Sequence, residues 1–194
     1  DLCEEASVIL IFGSYTREDY VEGISDVNVL AITQNKRLLL ELGSMGFSSV
    51  VMTEDQFKVI CERGEPLCYY ALYDSKVVCG SLPNVKFVLS ELTCNELDRL
   101  SRAQLKLSLE GIARSDEISS INNLYRGIRS YIRGSCCKRG KIPLSDVEVL
   151  ECCKESLDPE VCDLFFKVKE MRIKREPVSY WTVRRFLKYL ERVK

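Results

Sequence analysis

Histidine is absent from this 194-residue sequence. Its absence excludes a histidine general base, a histidine-containing zinc site and the Ser-His and Cys-His pairs of nucleophilic hydrolases. The cysteines include no Cys-x-x-Cys pair, which argues against a zinc ribbon. No apolar run approaches the roughly 20 residues of a membrane-spanning helix, and no basic-then-apolar leader opens the sequence. We therefore expect a soluble cytoplasmic protein without a membrane partner.

The composition is that of a globular protein, with 46% hydrophobic and 29% charged residues. The net charge of −1 hides an asymmetry, because residues 95–194 carry 21 basic and 15 acidic side chains whereas residues 1–94 carry 7 and 14. Halves of opposite charge favour two modules with different surfaces. The sequence predicts two domains, residues 1–92 and residues 93–194.

The ten cysteines include two adjacent pairs, Cys136-Cys137 and Cys152-Cys153. These pairs flank a short connection and could meet across neighbouring helices as a disulfide. Intracellular disulfides are rare outside hyperthermophiles, so such a bond would imply a hyperthermophilic source. Buried free thiols are the alternative, and the sequence does not separate the two.

Residues 8–32 contain the segment with the clearest chemistry. A short apolar run ends at Gly13-Ser14, and Asp26 and Asn28 open a second apolar run. Gly13 has no side chain, so a backbone there can approach an anion closely, and a helix beginning just after it would point free amides and the Ser14 hydroxyl at a phosphate. Asp26 and Asn28 are two residues apart, which places both side chains on one face of a strand.

This segment resembles the signature of the DNA polymerase β-like nucleotidyltransferases, in particular the small archaeal and bacterial members called minimal nucleotidyltransferases. That signature is an apolar strand, Gly-Ser, a triplet that contains arginine, a loop, and then Ser-Asp-x-Asp before a second strand. The matching residues of this sequence are Gly13, Ser14, Arg17, Ser25 and Asp26.

The resemblance implies a nucleoside triphosphate bound with Mg²⁺. Gly13, Ser14 and Arg17 would hold the phosphates, and Asp26 with Asn28 would form the catalytic metal site. Asn28 stands where the family has a second aspartate, and Ser49 is the position that we align with the third carboxylate. Because both replacements are neutral, we expect nucleotidyl transfer to be weak or lost.

Apolar periodicity and turn residues predict an α+β protein, in which a mixed sheet with helices precedes an all-α bundle. A capping box at Thr53 and Gln56 predicts the start of one helix. The other elements predicted before residue 93 are helices at 35–42 and 65–72, strands at 8–12 and 47–53, and the strand that Asp26 and Asn28 open. A hairpin or strands are predicted at 76–79 and 85–89. Beyond it, helices are predicted at 96–113, 115–131, 147–153, 159–173 and 181–193.

The helical half resembles the HEPN and kanamycin nucleotidyltransferase C-terminal bundles in helix pattern and domain order. HEPN ribonucleases carry an arginine followed closely by a histidine. This sequence has no histidine, so ribonuclease activity of that kind is not supported. Two basic stripes could contact RNA or nucleotide phosphates, or could be solvated helix faces. They comprise Arg126, Arg129 and Arg133, and Lys167, Lys169, Arg172, Lys174 and Arg175.

Two hypotheses follow. The first is a nucleotidyltransferase-fold protein that binds a nucleoside triphosphate and modifies a nucleic-acid or protein acceptor weakly or not at all. The second is a noncatalytic regulatory or antitoxin-like binding protein that contacts RNA through basic helices. A third carboxylate close to Asp26, from Asp19, Glu22 or Asp74, would favour the first hypothesis, and its absence would favour the second.

Overall fold

The computed structural model describes residues 2–193 and has an α+β fold, as the sequence predicts. The chain divides into two compact units, residues 1–93 and residues 94–194. The first contains a mixed sheet with helices, and the second is built from helices alone within the described residues. None of the helices between residues 2 and 193 combines the length and apolarity required to cross a membrane.

The sheet of the first unit has four strands in the order β3-β2-β1-β4. β1 (Val8–Phe12) is antiparallel to both β2 (Asn28–Ile32) and β4 (Ser75–Gly80), while β3 (Ser48–Met52) is parallel to β2. Apart from Asn28, the two central strands consist of apolar residues, half of all ten being β-branched, which suits strands covered on both faces. Because β1 and β2 are antiparallel neighbours, the carboxyl end of β1 and the amino end of β2 lie together.

Three helices accompany this sheet: α1 (Leu38–Ser44), α2 (Glu54–Glu62) and α3 (Pro66–Tyr73). The predicted capping box at α2 is confirmed, because the Thr53 hydroxyl accepts from the Gln56 amide and the Gln56 side chain accepts from the Thr53 amide. Phe57 of α2 packs in an apolar cluster with Leu10 and Leu30. Leu38 of α1 packs in a second cluster with Val29.

The prediction of a strand at residues 85–89 is wrong. This segment has no regular secondary structure, and its apolar side chains Val85 and Phe87 pack instead against the cluster around Phe57. The pattern of apolar residues indicates which side chains are buried. A buried segment need not form a strand, because its backbone need not pair with another strand.

The second unit contains a bundle of five helices. They are α4 (Glu91–Ala113), α5 (Glu117–Cys137), α6 (Asp146–Ser156), α7 (Pro159–Lys174) and α8 (Tyr180–Arg192), of which α4 begins at the end of the first unit. Their apolar faces meet in one cluster centred on α5. Ser145 caps α6 in a capping box with Glu148, and Ser179 caps α8.

All ten cysteines are paired in five disulfides. In the first unit the bonds are Cys3–Cys79 and Cys61–Cys68. In the second unit three bonds join successive helices from α4 to α7: Cys94–Cys137, Cys136–Cys152 and Cys153–Cys162. Of the two alternatives left by the sequence, the disulfide between adjacent cysteine pairs is the one observed, through Cys136 and Cys152.

Candidate functional site

Gly13 lies where β1 ends and contacts the start of β2. Its φ of +83° is in the left-handed region, and a β-carbon added there would lie 3.3 Å from the side-chain nitrogen of Asn28. The preceding residue, Phe12, is the register partner of Asn28. The structure therefore brings together two of the residues that the sequence singled out, and a residue with a side chain at position 13 would be strained.

The turn after Gly13 is short. Ser14–Thr16 forms a single turn of 3-10 helix. The amides of Thr16 and Arg17 donate to the carbonyls of Gly13 and Ser14, each at 3.0 Å. The helix with several free amides, on which the expected phosphate contact depended, is not formed here.

Arg17 is held between two carboxylates. Its Nε donates to Asp19 Oδ2 at 2.7 Å, and its Nη1 donates to Asp74 Oδ2. The arginine side chain is 13% exposed and the Asp74 side chain 5%. Burial alone lowers the pKa of Arg17, but the hydrogen bonds to Asp74 and Asp19 outweigh it and raise the pKa of the guanidinium. The cation expected to neutralise phosphates is thus already neutralised within the protein.

Asp74 links this ion cluster to the turn after β1. It follows the last residue of α3, and its carbonyl accepts from the Gly13 amide at 3.0 Å. The Asp19–Arg17–Asp74 cluster therefore lies at the edge of the sheet where the signature residues lie. Asp19 and Asp74 are two of the candidate third carboxylates that the sequence offered, but their shared pairing with Arg17 was not predicted.

The remaining signature residues lie in the approach to β2. Asp26 is exposed, and Asn28, the first residue of β2, is half-buried. Ser25 accepts through its hydroxyl from the Val21 amide at 2.9 Å, which closes the turn before Asp26. Of the Ser-Asp pair that matches the family signature, Ser25 therefore stabilises a turn and Asp26 is an exposed carboxylate.

The alignment of Ser49 with the third carboxylate is corrected by the strand register. Ser48 is the register partner of Asn28, whereas Ser49 is paired with Val29. Because side chains alternate between the faces of a sheet, Ser48 shares a face with Asn28 and Ser49 lies on the other. The corrected position is also a serine, so the neighbouring strand supplies no carboxylate beside Asn28.

The donor set does not fit a two-magnesium centre. Within residues 2–193, no group of three or more His, Cys, Asp and Glu side chains is placed to hold a metal ion. At this edge of the sheet Asn28 and Ser48 are neutral, and Asp19 and Asp74 bind Arg17. Mg²⁺ that carries a triphosphate is held mainly by carboxylates, and this edge of the sheet has too few carboxylates that do not already bind Arg17.

Comparison with known proteins assigns no family. No protein-family model matches the chain, and no curated protein is significantly similar to it. The nucleotidyltransferase and HEPN resemblances therefore rest on the quoted residues, the helix pattern and the domain order.

The two basic stripes predicted for the bundle are not continuous surfaces. Arg133 of α5 is 6% exposed and donates through Nε to the Pro143 carbonyl at 2.8 Å. Arg172 of α7 is 4% exposed and donates through Nε to Asn122 Oδ1 at 2.9 Å. The interpretation of these two arginines as solvated or RNA-contacting residues is wrong, because both serve internal hydrogen bonds.

A buried polar network that the sequence did not reveal surrounds Tyr125 of α5. Its hydroxyl donates to Asp146 Oδ1 at 2.6 Å and accepts from Arg129 Nη1 at 3.1 Å. The guanidinium of Arg172 lies 4.3 Å from the ring centroid. Burial raises the pKa of the Tyr125 hydroxyl, which therefore remains a proton donor to Asp146. The network connects α5, α6 and α7.

Proposed function

We propose that this protein is a noncatalytic binding or regulatory protein built on a nucleotidyltransferase-like sheet. The observation that carries the proposal is the pairing of Arg17 with Asp19 and Asp74, together with neutral residues at positions 28 and 48. Nucleotidyl transfer in the resembling family depends on carboxylates that gather metal around the phosphates. Here the available carboxylates hold an internal guanidinium instead.

Weak binding of a nucleoside triphosphate with Mg²⁺ is the second candidate function. It is supported by the contact between Gly13 and Asn28, which reproduces the close approach of the glycine turn to the second strand. Ser14 and Asp26 would then contribute polar contacts at the same edge.

We also propose a cytoplasmic location in a hyperthermophile. All ten cysteines are paired, and intracellular proteins of hyperthermophiles are the known disulfide-rich exception among cytosolic proteins. In a mesophilic cytoplasm, thiol-reducing systems would oppose five disulfides. An oxidised chain that melts below about 65 °C, within the range of mesophilic domains, would argue against this proposal.

Restoring carboxylates should create Mg²⁺-dependent nucleotide binding. We expect the unmodified protein to show little heat of binding with ATP and Mg²⁺ in a calorimetric titration. The double variant Asn28→Asp/Ser48→Asp adds two carboxylates on one face of adjacent strands near Asp26. It should bind ATP at least about tenfold more tightly with Mg²⁺ than without, because added anionic ligands strengthen metal capture.

The matched control is Asn28→Asp/Ser49→Asp, which adds the same charge but places one carboxylate on the opposite face of β3. It should gain much less Mg²⁺ dependence than the Ser48 variant. Tight Mg²⁺-dependent ATP binding by the unmodified protein that Asp26→Ala abolishes would contradict the expected lack of nucleotide binding and would favour the second candidate function.

A further inference from the structure

The last helix, α8, has two faces of opposite character. Val183, Phe186 and Leu190 are buried in the core of the bundle. The opposite face carries Trp181, which is 74% exposed, and four exposed cations. The tryptophan and the four cations are spaced three or four residues apart, so they lie on one side of the helix. They are Trp181, Arg184, Arg185, Lys188 and Arg192, and we call this side the α8 face.

The four cations of the α8 face have no counter-ion among the residues that the structure describes. Within residues 2–193, none of them forms an ion pair or a side-chain hydrogen bond. Several exposed cations elsewhere in the protein are paired, such as Lys58 with Glu54 and Arg114 with Glu110. The α8 face is therefore a local concentration of uncompensated positive charge rather than an average solvated helix surface.

We propose that the α8 face binds single-stranded nucleic acid. Cations on successive helical turns lie about 6 Å apart along the axis and can contact a series of phosphates. Trp181 is exposed among these cations, and its ring contacts the ring of Tyr180 edge to face, with the centroids 5.3 Å apart. An exposed indole beside arginines provides a stacking surface for an unpaired base, as in sequence-tolerant single-strand binding.

A membrane surface fits the α8 face less well. An amphipathic helix binds a bilayer by inserting its apolar face among the lipids. The apolar face of α8 is occupied by the bundle core, and the exposed face offers one indole among cations. An unpaired base, by contrast, requires one aromatic platform and nearby positive charge. This proposal concerns the second unit alone and does not depend on the function proposed for the sheet.

The only tryptophan of the chain is Trp181, so intrinsic fluorescence reports directly on this surface. Titration of the oxidised full-length protein with a 15-nucleotide oligothymidylate should quench the tryptophan emission. The logarithm of the affinity should fall with the logarithm of salt concentration, with a slope of about −2 to −3 for three or four phosphate contacts. The matching duplex should quench less, because its bases are already stacked.

Three variants separate the contributions. Trp181→Ala, followed by fluorescence anisotropy of a labelled oligonucleotide, should weaken binding about 5- to 150-fold, the loss of one stacked base, while Trp181→Phe should retain most of the affinity. Arg184→Gln/Arg185→Gln/Lys188→Gln should flatten the salt slope by about 2. The charge-matched control Lys106→Gln/Lys141→Gln/Lys154→Gln removes three exposed cations from outside α8 and should change the slope little.

Several results would overturn the proposal. They are the absence of quenching by the single strand, an affinity indifferent to Trp181→Ala, and a control variant as damaging as the α8 variant. A blue shift of the emission with phosphatidylserine vesicles, without quenching by the oligonucleotide, would assign the face to an anionic membrane and would equally overturn it. Since all substituted residues are exposed, unchanged thermal melting should accompany each variant.

Discussion

Removing the disulfide between Cys3 and Cys79 is expected to cost about 4 kcal/mol of the free energy of unfolding of the first unit. The two cysteines are separated by 76 residues, so the bond closes most of this unit into one loop. A cross-link over a long loop stabilises mainly by restricting the unfolded chain, and the restriction grows with loop length. The variant Cys3→Ala/Cys79→Ala, unfolded in denaturant under oxidising conditions, measures this cost.

Reduction provides the control for this experiment. With a strong reductant present throughout, the unmodified protein and the variant should unfold at nearly the same denaturant concentration, because neither then has the cross-link. Either single substitution should destabilise the oxidised protein about as much as the double substitution. A stability difference that persists in the reduced proteins would show that packing at these positions, and not the covalent bond, accounts for the loss.

Breaking the Asp19–Arg17–Asp74 cluster should have a comparable effect. Arg17→Met removes the cation and leaves the Asp74 side chain, which is 5% exposed, without its charge partner. Removing one partner from a buried ion pair costs roughly 3–5 kcal/mol, because the remaining charge stays desolvated. We expect a loss of this size in denaturant unfolding.

Two further variants test that interpretation. Arg17→Met/Asp74→Asn removes the orphaned charge as well and should recover much of the stability lost in Arg17→Met. Arg114→Met breaks an ion pair whose side chains are 71% and 55% exposed, and it should cost less than about 1 kcal/mol. A loss in Arg17→Met no larger than that in Arg114→Met would show that the cluster contributes little to the fold.

Most helices of this protein could be predicted from local signals. The capping residues Thr53, Ser145 and Ser179 each lie immediately before a helix, since a side-chain acceptor at that position satisfies amides that the helix itself leaves unpaired. Such signals depend on residues within one turn, so they are readable without knowledge of the tertiary structure. The α+β order of the elements followed from them and from the change in apolar periodicity.

The errors concern interactions between distant residues. Whether 85–89 forms a strand depends on a free neighbouring strand, and whether Ser48 or Ser49 lies beside Asn28 depends on register. Neither is encoded in the periodicity of the segment itself. The burial of Arg133 likewise depends on backbone carbonyls at the turn before α6.

The candidate site was predictable in part. The resemblance assigned Gly13 and Asn28 to one site, and the structure brings them together because β1 and β2 are antiparallel neighbours. The resemblance did not anticipate that Arg17 would bind two carboxylates drawn from separate segments. That pairing turns three residues with plausible roles in phosphate and metal binding into a structural ion cluster.

The most direct test of the noncatalytic interpretation is a nucleotidyl-transfer assay on the unmodified protein. It would be incubated with nucleoside triphosphates labelled at the α-phosphate, with Mg²⁺ or Mn²⁺, and with RNA or protein as acceptor. The interpretation predicts no covalently attached label above the level given by Asp26→Ala. Transfer that depends on the divalent cation and disappears in Asp26→Ala would contradict it.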